Sequence, residues 1–375
     1  MRQGLQHNFQ HLAGLAALMF ALGAQAAAAQ DDAVAFASKI AEQGQKSVMS
    51  KDKLGEGAVV WTGAETAPKP AAGAVIAVMP CPLALEVCQK NLKYATEAAE
   101  AIGWEVVPID TKGDPATAQR GVDAALNRGV QCVLMLGAPA RDIRAQIQRG
   151  KEKGVAFVTG FADDPREFGG DIGFGIDQAA AGKLLAAHVI ANGGGKVVIF
   201  TAPAFPQLAV RLQGFKDYLA EHGGGVAEVL EEIEFNVGAG APDLVTKTQA
   251  LLTRHPRDSF AWVLGPYDES LVPVLSTAKQ RERGEIRGLS FDGEPVALNS
   301  IAEGGAQSAT VAWGLEWVAW AGVDECNRAM NGAEVGVNTD FPIQLVTAAN
   351  LPADGRYDPG FDFRARYKAM WDAAK

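Results

Sequence analysis

The chain has 375 residues, with 48% hydrophobic and 21% charged residues, so it is long enough for two ordinary domains and too apolar for wholesale disorder. Thirty-four basic against 44 acidic residues give a net charge of −10, and no basic cluster offers the face a nucleic-acid binder needs. No internal apolar run reaches the roughly 18 residues that span a bilayer.

The N-terminus has three zones in the order of an export signal. Arg2, His7 and His11 make a short polar start, and Leu12 to Gly23 is an apolar stretch. Ala24-Gln25-Ala26 and the alanines to Ala29 supply the small residues a signal peptidase needs, before a polar Gln30-Asp31-Asp32. Residues 1–29 are therefore predicted to be a cleaved signal peptide, with the mature chain starting near Gln30 and no Cys to carry a lipid anchor.

Export makes disulfides possible. Cys81 and Cys88 bracket one short loop and are placed to close a small ring. Two free thiols or half of a metal site are the alternatives, although no His lies nearby to complete a metal set. Cys132 falls in the apolar run 130–136 and reads as plain core, and Cys326 has no visible partner.

Residues 32–50 carry Val34, Phe36, Ile40 and Val48 at loosely helical spacing, and a Gly/Pro-rich passage from Gly55 to Pro70 reads as a linker or strap. Together, 30–72 form an N-terminal helix and linker. From Gly73 a βα rhythm begins. The runs 74–79, 104–109, 130–136 and 155–158 are short and rich in β-branched residues, as strands buried on both sheet faces are. Helical spacing fills 89–102, 115–127 and 141–153, and 171–176 is a further extended piece. A helix over 179–191 stops at Asn192-Gly193-Gly194-Gly195. The rhythm then restarts with strands at 196–201, 226–234, 260–264 and 286–291 and helices at 208–221, 241–254 and 269–281. Strands alternating with helices predict an α/β fold of two doubly wound parallel-sheet lobes, with a ligand cleft at the strands' carboxyl ends.

Catalytic groups are sparse. His188, His222 and His255 read as surface or capping residues. Gly193-Gly194-Gly195-Lys196 partly matches a phosphate loop, but Val197 stands where Ser or Thr is required. An enzyme is disfavoured and no cofactor or metal is expected.

Several motifs resemble the type I periplasmic solute-binding proteins of ABC transporters, the ribose-binding-like family, over 73–347. Gly175-Ile176-Asp177-Gln178-Ala179-Ala180-Ala181-Gly182 is similar to the family's Asp-Asn-x-x-x-Gly helix start, with Gln178 in place of Asn. Arg211-Leu212-Gln213-Gly214-Phe215 matches its Arg-x-x-Gly-Phe helix, Pro266-Tyr267-Asp268-Glu269 resembles its Asn-Asp loop, and Ser290-Phe291-Asp292-Gly293 resembles its Gly-Phe-Asp-Gly loop. Trp61-Thr62-Gly63 and the Cys81/Cys88 pair occur in longer exported members. The resemblance implies a periplasmic monomer that closes its lobes on a small-molecule ligand and delivers it to an ABC permease in the inner membrane. A sensor feeding a chemoreceptor or kinase is the alternative. It also implies lobes of 73–175 plus 314–339 and of 176–313 plus 340–375, the latter including the tail, joined by a multi-strand hinge. The ligand-binding candidates are Asp292, Arg211, Tyr267, Phe161, Trp313 and Glu86. Trp313, Trp317 and Trp320 fall at helical spacing, and only Trp313 is nominated. Gly160-Phe161 stands where sugar binders place an Asp-Arg pair, so the expected ligand is sugar-like or a less hydroxylated, partly aromatic or apolar metabolite. Trp and Tyr stack on sugar faces, which keeps carbohydrates in play.

Overall fold

A computed structural model of the chain describes Ala28 and residues 30–46, 61–338 and 341–374. The predicted signal peptide, apart from Ala28, and the first part of the predicted linker lie outside the described residues. A helix α1 over 30–44 is followed by two halves of alternating strands and helices. The first half comprises β1 (Val75–Pro80), α2 (Glu86–Ala101), β2 (Glu105–Pro108), α3 (Pro115–Arg128), β3 (Cys132–Leu136), α4 (Arg144–Glu152), β4 (Ala156–Gly160) and β5 (Ile172–Phe174). The second comprises α5 (Gln178–Ala191), β6 (Gly195–Thr201), α6 (Pro206–His222), β7 (Ala227–Glu234), α7 (Ala241–Arg254), β8 (Trp262–Leu264), α8 (Asp268–Gln280), β9 (Arg287–Asp292), α9 (Pro295–Ala302) and β10 (Gln307–Trp313). Then come α10 (Leu315–Met330), β11 (Ile343–Val346) and α11 (Phe363–Ala373).

The strands form two sheets, ordered β2-β1-β3-β4-β5 and β11-β10-β9-β8-β6-β7. All ladders are parallel except β10 with β11. Apart from that added edge strand, the two sheets share one winding. Each therefore reverses strand order beside its first strand, where ligand crevices form. Cys132 to Leu136 and Ala156 to Gly160 are buried throughout, as strands covered by helices on both faces must be. Local signals set the helix ends: Asp114 accepts a hydrogen bond from the Thr117 N–H at the start of α3, and Gly129 (φ 83°) ends it in the left-handed region.

The chain crosses between lobes from β5 to α5 and from β10 to α10, which returns to pack on α2, β3 and β4. Helices α5 and α6 approach so closely that a Cβ on Gly182 would lie 1.9 Å from the Arg211 carbonyl oxygen, and one on Gly214 2.3 Å from that of Ala179. Gly214 in the Arg-x-x-Gly-Phe motif is thus a packing requirement that holds Arg211 in place.

Four expectations need correction. Cys132 is not plain core: it is bonded to Cys326, with Cα atoms 5.9 Å apart, pinning the returning α10 to β3. Trp313 is no part of a helical stripe, because it ends β10, and α10 carries only Trp317 and Trp320. His188 is buried, with Nε2 2.9 Å from Ser308 Oγ. The tail helix α11 packs on the first lobe rather than the second. There Trp371 stacks on Trp320 at 5.6 Å and Arg364 pairs with Glu97 and Glu316. Apolar surface on α10 that the first sheet leaves uncovered draws it there.

Candidate functional site

The strand ends of both lobes face one cavity of about 60 Å³, room for a few water molecules at about 10–15 Å³ each. Five of the six candidates, Asp292, Arg211, Tyr267, Phe161 and Trp313, line it together. Asp292 ends β9 and Arg211 lies on α6, while Tyr267 directly precedes α8. Phe161 follows β4 of the other lobe, and Trp313 ends β10 just before the crossing. All but Arg211 sit where a strand end or crossing delivers the side chain to the gap between lobes, and Arg211 reaches it from the second turn of α6.

The polar centre is an ion pair. Arg211, 2% exposed, donates from Nη1 to Asp292 Oδ1 at 3.1 Å and to the Pro266 carbonyl at 2.8 Å, and from Nε to Gln178 Oε1 at 2.9 Å. Its guanidinium lies 4.8 Å from the Phe291 ring centroid and 5.0 Å from that of Trp313, in the geometry of a cation–π contact. Burial lowers the Arg211 pKa and raises that of Asp292 well above the usual carboxylate range, while each partner pulls the other back toward its charged form. Asp292 sits at φ 111° and Phe161 at φ 63°, conformations that non-glycine residues adopt at a cost.

Beneath the pair lies Asp268, 1% exposed, which accepts from the Ser290 and Thr310 hydroxyls and from the Glu294 N–H. These bonds tie β9, β10 and the Asp292–Glu294 turn into one unit. Burial pushes the Asp268 pKa up to about 7 against the pull of those donors.

Glu86 does not reach the cavity. It starts α2 with a side chain 57% exposed, 3.0 Å from Lys90, and its backbone N–H donates to Glu269 Oε1 at 2.7 Å. Its neighbours Leu85 and Val87 line the cavity instead, held by the Cys81–Cys88 disulfide, whose Cα atoms are 5.2 Å apart. The Glu86–Glu269 contact belongs to a seam that closes the lobes over the cavity. Lys90 of α2 pairs there with Glu294, Arg141 Nη2 donates to the Ala204 carbonyl at 2.6 Å, and Gln207 Nε2 donates to the Gly137 carbonyl at 3.2 Å.

Besides aliphatic and aromatic lining residues, sequence reading missed two polar ones, Asn91 and Gln207. Asn91 is 3% exposed on the face of α2 that also buries Cys88, Ala95 and Ala98, and a lone amide on an apolar stripe is the signal that would have found it. Gln207, in the first turn of α6, carries no such mark. Asn91 Oδ1, Gln207 Oε1 and Trp313 Nε1 are buried and have no protein hydrogen-bond partner among the described residues.

The family profile described as periplasmic binding protein domain matches residues 76–334. The ribose import binding protein RbsB of Salmonella typhimurium is 23% identical over 264 residues, 67% of this chain and 83% of that protein. Its Escherichia coli counterpart is 22% identical over 265 residues, again 67% and 83%. Among solved structures, an ABC transporter solute-binding protein from Mycobacterium smegmatis with bound glycerol superposes with a TM-score of 0.69 at 19% identity, covering 77% of this chain and 99% of that one. The Caulobacter myo-inositol binding protein, bound to myo-inositol, gives 0.67 at 21% identity, covering 76% and 96%. Among the described residues, no helix is long and apolar enough to cross a membrane.

Proposed function

The chain belongs to the periplasmic binding protein domain family, and on that premise we propose that it is the periplasmic substrate-binding component of an ABC importer. It captures a small solute between its lobes and hands it to a permease in the inner membrane, acting as a monomer that binds rather than transforms its ligand. The export signal at 1–29 delivers it to the periplasm. Asp292, Arg211, Tyr267, Phe161 and Trp313 are the ligand contacts. The solute is sugar-like, or a less hydroxylated metabolite with aromatic or apolar surface, because aromatic and aliphatic side chains surround a single ion pair.

One observation carries this reading: a cavity built from both lobes and from a crossing segment, with a buried Arg211–Asp292 pair at its centre. A ligand there touches both lobes and a crossing segment, so its binding energy favours the closed state. The RbsB proteins named above are import binding proteins, which supports transport as the role. The test is a thermal-shift screen of mature protein against sugars, polyols and aromatic metabolites, followed by uptake measurements in cells lacking the protein. A true ligand at 100 times its Kd stabilises by about 2.7 kcal/mol. The proposal fails if the ligand found this way binds Asp292→Asn as tightly as the wild type, or if its uptake is unchanged without the protein.

A further inference from the structure

Of the buried polar atoms that have no protein partner among the described residues, three belong to side chains that line the cavity, and these bear on what a ligand must bring. Asn91 Oδ1 comes from α2 of the first lobe, Gln207 Oε1 from α6 of the second, and Trp313 Nε1 from the end of β10 beside the crossing. The orientation of the Gln207 amide is set by its own bond, since Nε2 donates to the Gly137 carbonyl and leaves Oε1 free. Two of the three are acceptors and one is a donor. A ligand group that satisfies the acceptors must therefore carry hydrogens, which a carboxylate or phosphate at neutral pH does not supply in that number. Hydroxyls do, and a hydroxyl or ether oxygen also accepts from the indole.

Charge narrows the class further. Arg211 and Asp292 are the only charged residues among those lining the cavity, and they neutralise each other. A charged ligand would enter a buried site with no counter-ion. The remaining wall is largely apolar, including Leu85, Val87, Phe205, Leu208 and Val237. A hydroxyl facing that wall loses its water without gaining a partner.

We propose that the ligand is a neutral, partly deoxygenated ring compound of monosaccharide size: two or three hydroxyls reach Asn91, Gln207 and Trp313, and a hydrocarbon face lies on the aliphatic wall. Asn91 and Gln207 are then specificity-determining residues that read the hydroxyls from opposite lobes. This rests on the interlobe cavity being the ligand site.

The experiment is calorimetric titration with three matched pairs: D-fucose against D-galactose, 2-deoxy-D-ribose against D-ribose, and cis-1,2-cyclohexanediol against myo-inositol. In at least one pair the less hydroxylated member binds about ten-fold or more tightly than its partner. Asn91→Leu and Gln207→Met each weaken that ligand by about ten-fold or more. Asn91→Leu leaves the melting temperature of the ligand-free protein unchanged or higher, because it removes an unpaired buried oxygen, whereas a merely structural Asn91 would lower it. The inference is overturned if the fully hydroxylated member binds as tightly or more tightly in every pair, if none of the six compounds binds, or if both variants retain wild-type affinity. Asp292→Asn separates this failure from failure of the transport reading. A solute whose binding is lost in Asp292→Asn but untouched by Asn91→Leu and Gln207→Met removes only the ligand class and leaves interlobe capture standing.

Discussion

Removing the Asp292 carboxylate strips the counter-ion from a guanidinium that is 2% exposed. Breaking a buried pair from one side costs about 3–5 kcal/mol, since the remaining charge is left uncompensated. Arg211 keeps the Pro266 carbonyl and Gln178 Oε1 as acceptors, which places Asp292→Ala near the lower end, at about 3 kcal/mol. Arg211→Met leaves the Asp292 carboxylate buried without its partner, and protonation relieves much of that strain because burial already raises its pKa. In the double variant neither charge remains, so its loss is smaller than the sum of the two single losses by at least about 2 kcal/mol. The assay is urea denaturation of ligand-free protein at pH 7 for the wild type, both single variants and the double variant. A loss below about 1 kcal/mol in Asp292→Ala, or simple additivity in the double variant, would refute the claim that these two charges hold each other in a desolvated site.

Other outcomes follow from packing, covalent links and protonation. Replacing Cys132 and Cys326 by Ala opens a link between residues 194 apart, against 7 for Cys81 and Cys88. Loop entropy gives losses of about 5 and about 2.5 kcal/mol, so chemical denaturation should rank the first pair as the more damaging, and the opposite order would contradict the account. Burial, with Arg287 nearby, lowers the His188 pKa to about 4. The unfolded chain therefore takes up a proton on acidification before the folded one does. The resulting stability is full above about pH 6.5 and is lost as pH falls through 4, on the order of 3 kcal/mol. Comparing wild type with His188→Gln across that window isolates this share, and parallel curves would exclude it. Asp268 acts with the opposite sign: with its pKa raised to about 7, its share of stability is full below about pH 4 and is lost as pH rises through 7. Gly182→Ala forces a Cβ into the Arg211 carbonyl and should cost about 3 kcal/mol or more, with ligand binding weakened as α6 shifts, measured by the same denaturation series.

The βα rhythm was legible because buried parallel strands are short, uniformly apolar runs. Ile76 to Met79 and Cys132 to Leu136 read the same way in sequence as they pack in the sheet. Positions just past such runs were legible as cleft positions for the same reason, hence Phe161, Tyr267 and Asp292. What sequence hid were relations between distant segments. The Cys132–Cys326 link joins a strand to a helix that the chain reaches only after building the second lobe. Trp313 falls into the spacing of Trp317 and Trp320 because a strand end and a helix start abut with only Gly314 between them. His188 lies on a helix apolar around most of its circumference, with Leu184, Leu185, Val189 and Ile190 all buried, so periodicity gave no inner face to assign it to. Glu86 reads as part of the loop between Cys81 and Cys88 but opens α2, and because adjacent residues at a helix start point in different directions, Leu85 and Val87 take the cavity instead. Gln207 depends on a bond to Gly137 in the other lobe, which no local pattern encodes.

Interlobe capture is tested most directly by a crystal structure of the protein purified from the periplasm of cells grown on the solute identified by screening. The account predicts ligand density in contact with the Arg211–Asp292 pair and Trp313 on one side and with Asn91 on the other. Density on an outer surface of either lobe, with the cavity between them filled only by solvent, would contradict it.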